Sequence, residues 1–319
     1  MNVIQERLAA LRSKMQEHNI NYYVVPTADF HQSEYVGEHF KARKFITGFS
    51  GSAGVAVVGL DGAWLWVDGR YFLQAGEQLQ GTTVELMKMG EPGVPTLDAF
   101  INSNLKKGEK IGFDGRVVSM DEGQLYDEIA KKHEGCIEYN VDLIDEIWTD
   151  RPPLSEKPAF DLDVKYTGKT VAEKLADIRE KMVEAEADMH VVTTLDDICW
   201  TLNIRGDDID FFPLVLSYAL MDEKSYHLYI DERKLDDDIK ARFAVDGVVI
   251  HPYNDIYEDI KKIPADTKLM LDASKVNYAL FCNIADSVKK IDVMNPEMVF
   301  KNVKNPVELD NIRKAQIKD

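Results

Sequence analysis

The strongest constraint on this chain is that it repeats itself. Leu175, Ile178, Arg179 and Met182 stand 167 residues after Leu8, Leu11, Arg12 and Met15. Val191 to Thr194 falls on Val24 to Thr27 at the same offset, and Asp196 falls on Asp29. Leu228 to Arg233 echoes Leu65 to Arg70 at an offset of 163, and Met270-Leu271-Asp272 echoes Gly112-Phe113-Asp114 at 158. An offset that falls steadily is what shorter loops in the second copy produce. The chain therefore reads as a tandem duplication of one domain-sized unit. Its 319 residues are enough for two such domains.

Each copy mixes helix and strand. Ile4, Leu8, Leu11 and Met15 recur at helical spacing and predict an amphipathic helix over residues 3–18. Tyr22–Val25 predicts a short strand. Asp29–Tyr35 is polar and leads into a short helix. Val55–Val58 and Ala63–Val67 predict two strands joined by the turn Gly59-Leu60-Asp61-Gly62, a hairpin. Residues 71–79 read as helix, 83–87 as strand, 96–105 as helix, 110–113 as strand and 137–139 as a last strand. Ser119-Met120-Asp121-Glu122 and Thr170-Val171-Ala172-Glu173 are capping boxes, which open helices by satisfying orphan amides reciprocally. Adjacent-strand hairpins among helix–strand alternations predict α/β domains, each a mixed sheet flanked by helices.

Trp148 to Pro153 carries two adjacent prolines that neither helix nor sheet continues. We divide the chain into 1–157, 158–302 and a closing segment 303–319. Asn305-Pro306-Val307-Glu308 opens a helix with an apolar stripe at Leu309, Ile312 and Ala315, and no capping signal follows. That pattern predicts a linker helix continuing into further chain.

Net charge is −18, which argues against nucleic acid or an anionic membrane as partner. No apolar run reaches membrane-spanning length. Cys136, Cys199 and Cys282 are scattered and form no C-x-x-C pair, so we expect reduced, buried thiols in a cytoplasmic protein.

Several residues could carry chemistry. Gly48-Phe49-Ser50-Gly51-Ser52 is neither a nucleophile elbow nor a phosphate loop. The seven histidines include no H-E-x-x-H; His31 with Glu34 and His39 comes nearest to a ligand set and reads better as polar loop residues. Asp236-Asp237-Asp238 reads as a solvated helix start, and Asp207-Asp208 with Asp210 as solvated acids. Arg70 follows a strand and a glycine, where a guanidinium can take a carbonyl or carboxylate with forked hydrogen bonds. The plainer reading pairs it with Asp68 at the surface. Arg205, before Gly206, admits the same two readings. The four tryptophans read as core or interdomain residues.

The ordered motifs resemble a known family. They are Pro26-Thr27-Ala28-Asp29, His31-Gln32-Ser33-Glu34-Tyr35, Gly48 to Gly54, Val67 to Ala75, Leu86 to Gly90, Ile147 to Pro152, Thr194 to Trp200, Leu202 to Gly206, Lys304-Asn305-Pro306 and Arg313 to Asp319. Together they are similar to the N-terminal part of three-domain aminopeptidase P, the Xaa-Pro aminopeptidases of cytosolic type. The resemblance implies two creatinase N-terminal-like domains. It also implies a catalytic pita-bread domain outside residues 1–319, holding two divalent ions, usually manganese. No catalytic residue, metal ligand or cofactor is therefore expected in this chain. Arg70 is the one residue to which the family gives a role, contact with the peptide substrate. The implied partners are proline-containing peptides and a second copy in a homodimer, with neither nucleic acid nor membrane. A non-catalytic protein- or peptide-binding module on the same fold is the alternative. Prolidase and creatinase relatives usually carry a single such domain, which the duplication opposes.

Overall fold

A computed structural model of the chain describes residues 2–318. It contains two compact units. One takes in Met1–Leu154 with Asn277–Ala279, the other Ser155–Val276 with Leu280–Asp319.

In the first unit the opening helix, Val3–Glu17, is capped by Asn2 in a capping box with Gln5. It buries Ile4, Leu8, Leu11 and Met15, the stripe that its spacing predicts. The strands are β1 (Tyr22–Pro26), β2 (Val55–Gly59), β3 (Ala63–Val67), β4 (Glu85–Lys88), β5 (Lys110–Gly112) and β6 (Cys136–Glu138). They form one sheet in the order β4-β3-β2-β1-β5-β6. β1–β2 and β2–β3 are antiparallel, and the other pairs are parallel. Asp29 to Tyr35 stays irregular. Helical structure begins only at Glu38–Phe40 and Ala42–Thr47, because Asp29 turns its carboxylate onto the amides of His31 and Ser33.

The second unit repeats this plan. Its strands are β7 (Phe160–Asp161), β8 (Met189–Val192), β9 (Ile204–Arg205), β10 (Ser217–Asp222), β11 (Tyr226–Ile230), β12 (Val248–His251), β13 (Lys268–Leu271) and β14 (Lys289–Asp292). Six of them form a sheet ordered β12-β11-β10-β8-β13-β14, the same topology strand for strand. β7 and β9 pair separately. The repeat extends to single hydrogen bonds. Arg12 Nε donates to the carbonyl of Gly59 at 2.9 Å, and Arg179 Nε to that of Asp222 at 3.2 Å; each carbonyl ends its hairpin's first strand. The helix Val171–Glu184 opens with the capping box at Thr170, and Met120–Lys132 with that at Ser119. The chain is thus two mixed sheets flanked by helices.

Candidate functional site

The candidate site lies at the carboxyl ends of β1 and β3 in the first unit, where a glycine-rich loop meets a short helical turn. Three groups of contacts hold the loop. The Arg43 guanidinium, nearly buried, donates from Nε to Thr27 Oγ1 at 2.8 Å and from Nη1 to the Phe49 carbonyl at 2.8 Å. Its Nη2 reaches the Gly51 carbonyl. Burial draws the Arg43 pKa down to about 10. Thr27 Oγ1 donates onward to the Gly54 carbonyl at 2.7 Å. Ser50 Oγ accepts from Gln74 and Gln78 at 3.1 and 2.9 Å. Two glycines here have a steric reason. At Gly54, φ is +142°, and a Cβ would lie 2.8 Å from the Trp66 carbonyl oxygen. At Gly51 a Cβ would meet the Phe49 ring at 2.3 Å.

Beside this loop, Asp68 caps the 3-10 turn Gly69–Tyr71 by accepting from the Arg70 amide at 3.0 Å. The same carboxylate takes Arg70 Nε at 2.9 Å and Nη2 at 2.8 Å. Arg70's hydrogen bonds lower the Asp68 pKa to about 2, and Asp68 raises that of Arg70 in turn. The Arg70 side chain is 70% exposed, and Nη1 carries no hydrogen bond among the described residues. Tyr71 places its hydroxyl 2.7 Å from Ser52 Oγ. The result is an exposed guanidinium aimed by a forked ion pair, on a rigid turn, with one N–H face left for a ligand carbonyl or carboxylate.

The other candidates fall elsewhere. His31 is fully buried, while His39 sets Nδ1 2.7 Å from the Pro152 carbonyl. Among the described residues no group of three His, Cys, Asp or Glu could hold a metal ion. Asp236 caps the helix Asp237–Asp246, as an acid at a helix start does. Asp207 and Asp210 face solvent beside Lys157. Asp208 departs from the solvated reading. It is buried against Lys234 at 2.5 Å and accepts from the Leu216 amide at 2.7 Å, because a buried carboxylate needs a counterion and a donor. The thiols also differ from expectation: Cys199 is buried and Cys282 half-buried, but Cys136 is exposed because β6 lies at the sheet's edge.

Sequence reasoning missed Arg43, which reads as one more surface base between Lys41 and Lys44. It also missed a buried polar cluster in the second unit. There His190 sets Nδ1 3.1 Å from the Met270 carbonyl and Nε2 3.3 Å from Glu297, whose charge counters the burial that opposes protonation and raises the His190 pKa. Asp197 gathers Thr194, Asn295 and Lys301 around it. The only sequence signal was the doublet Asp196-Asp197.

Residues 7–144 and residues 150–308 each match a family model described as the creatinase/prolidase N-terminal domain. The chain is 39% identical to a probable Xaa-Pro aminopeptidase P of Neurospora crassa, covering 98% of this chain and 48% of that protein. It is 34% identical to aminopeptidase P1 of Arabidopsis thaliana, covering 99% and 53%. It superposes with a TM-score of 0.93 and 34% identity on an X-prolyl aminopeptidase from Caenorhabditis elegans, described as a cytosolic enzyme with a di-nuclear active site. That match covers 98% of this chain and 54% of the other. The chain thus spans about half the length of the relatives that it matches. Two sheets of the same order and two family matches in tandem agree: this chain belongs to the creatinase/prolidase N-terminal domain family, twice over.

Proposed function

We propose that the chain is the substrate-admitting half of an Xaa-Pro aminopeptidase, a hydrolase that releases the first residue from peptides with proline second. The observation that carries this reading is identity of 34–39% along virtually the whole chain to Xaa-Pro aminopeptidases about twice its length. A bond to proline is a tertiary amide without an N–H, so a peptidase that grips that donor cannot hold it. A dedicated enzyme can cleave it with a metal-activated water, and in this reading two divalent ions, manganese by the family resemblance, would supply that water outside residues 1–319. Among the described residues no group of three His, Cys, Asp or Glu could hold them.

This chain's part is access and orientation. Asp68 fixes the Arg70 guanidinium, and Nη1 then donates to a peptide carbonyl or carboxylate at the mouth of the catalytic half. Arg43, Thr27 and the two glutamines keep the adjoining loop from collapsing onto it. The enzyme acts in the cytoplasm as a homodimer in this reading. A relative described as cytosolic supports the location.

The test compares two polypeptides on a peptide such as Arg-Pro-Pro with manganese present. One is the 319-residue chain and the other a form extended to the length of the relatives. Release of arginine by the longer form alone is expected. Turnover by the 319-residue chain would overturn the placement of the chemistry. No turnover by either would favour a non-catalytic binding module.

A further inference from the structure

Asp68 clasps the Arg70 guanidinium along one edge, through Nε and Nη2. A forked pair fixes that edge, but the guanidinium plane can still rock about it. The side chain that limits the rocking is the next one. Arg70 Cζ lies over the Tyr71 ring, 5.2 Å from its centroid, within the range of a cation–π contact.

The Tyr71 ring is itself fixed from the core outward. The buried Arg43 guanidinium lies over the Phe49 ring, with Cζ 4.6 Å from the centroid. Phe49, fully buried, meets Tyr71 edge-to-face, with centroids 5.6 Å apart and planes at 77°. A relay of four groups thus runs from a buried guanidinium to an exposed one. Two positions of the glycine-rich loop serve the same ring. Ser52 Oγ sits 2.7 Å from the Tyr71 hydroxyl. At Gly51 a Cβ would lie 2.8 Å from Tyr71 Cδ1, so a side chain there would push the ring out of place. The second copy repeats the clasp without the ring. Arg233 is followed by Lys234, whose ammonium is buried against Asp208. The clasp therefore forms without a ring beneath it, and the ring is an addition of the first copy.

We propose, on the reading of Arg70 as the contact for the peptide, that Tyr71 is its positioning residue. The Tyr71 ring fixes the guanidinium plane, and with it the direction in which Nη1 donates. A hydrogen bond weakens steeply as its donor tilts away from the acceptor, so a guanidinium held in plane before the peptide arrives binds it better than one that rocks. Tyr71 acts only through Arg70, and Ser52 and Phe49 act only through Tyr71.

The experiment is a double-mutant cycle on kcat/KM for an Xaa-Pro peptide, in the form extended to the length of the relatives. Tyr71→Leu should lower kcat/KM about fivefold, the worth of an exposed cation–π contact. In the Arg70→Ala background the same change should alter it by less than about twofold, because no guanidinium is left to hold. Tyr71→Phe, which keeps the ring, should stay within about twofold of the wild type. Equal losses from Tyr71→Leu in the two backgrounds would overturn the proposal, since a ring that merely supports the loop is needed whether or not Arg70 is present. A loss in Tyr71→Phe as large as in Tyr71→Leu would overturn it too, by assigning the effect to the hydroxyl. A loss in Arg70→Ala with none in Tyr71→Leu would overturn it and leave the reading of Arg70 standing. Wild-type kinetics in Arg70→Ala would overturn that reading and this proposal together.

Discussion

The two copies make the same turn after their third sheet strand, and they use it differently. Asp68 clasps Arg70 in the first copy, and Asp231 clasps Arg233 in the second. In both, the aspartate caps a 3-10 turn and takes the arginine's amide, Nε and Nη2. The clasp is therefore a property of the turn, and its presence at Arg70 says nothing about function by itself. The surroundings differ. Arg233 is also paired with Glu156 at 2.7 Å, whereas Arg70 has no second carboxylate among the described residues. The next residue differs too. Tyr71 shares an exposed hydroxyl contact with Ser52, while Lys234 is sunk beneath the turn and neutralised by Asp208. The second copy spends this corner on internal ion pairs, and the first leaves it open to solvent.

Three pairs of substitutions sharpen or break that contrast. The largest effect is expected at the buried pair. Asp208→Ala strands the Lys234 ammonium in the interior and should cost about 3–5 kcal/mol in urea denaturation followed by tryptophan fluorescence. Its counterpart Ser52→Ala removes only an exposed hydroxyl contact and should cost less than about 1 kcal/mol. Equal losses would mean that the corners are not energetically distinct.

The next effect is in pH dependence. Burial lowers the Lys174 pKa from 10.5 to about 7, against a smaller opposing pull from Glu308. The unfolded lysine keeps its proton to higher pH, so between those values the unfolded chain binds more protons. Raising the pH through that window then favours the folded state, by at most about 1.4 kcal/mol per pH unit. Lys174→Met should flatten that rise between pH 7 and 10.5. Arg7→Met, which removes the corresponding donor to the Phe45 carbonyl in the first copy, is the control and should leave the slope unchanged. Identical slopes in the wild type and Lys174→Met would contradict this account.

Much of the fold was legible. The offset of 167 between Leu8 and Leu175 foretold two sheets of one order, since equivalent core positions need equivalent scaffolds. The hydroxyl-and-glutamate spacing at Ser119 and Thr170 marked two helix starts, because a capping box is a local device. The site was less legible, since its determinants are distant in sequence. Asp208 meets Lys234 across 26 residues and His190 meets Glu297 across 107, and no local spacing announces either. Arg43 carries no signal in a basic run until the fold curls the glycine loop around it. Arg70 was found through the resemblance; its geometry alone matches that of Arg233.

The central claim is that this shared turn serves substrate only in the first copy. The most direct measurement is kcat/KM for an Xaa-Pro peptide in the longer form, with Arg70→Ala and Arg233→Ala side by side. Arg70→Ala should lower kcat/KM about tenfold, and Arg233→Ala should leave it within about twofold. Both should keep the melting temperature, since exposed ion pairs contribute little stability. Equal kinetics in the two variants would return Arg70 to the role that Arg233 already fills, a clasp on a surface turn.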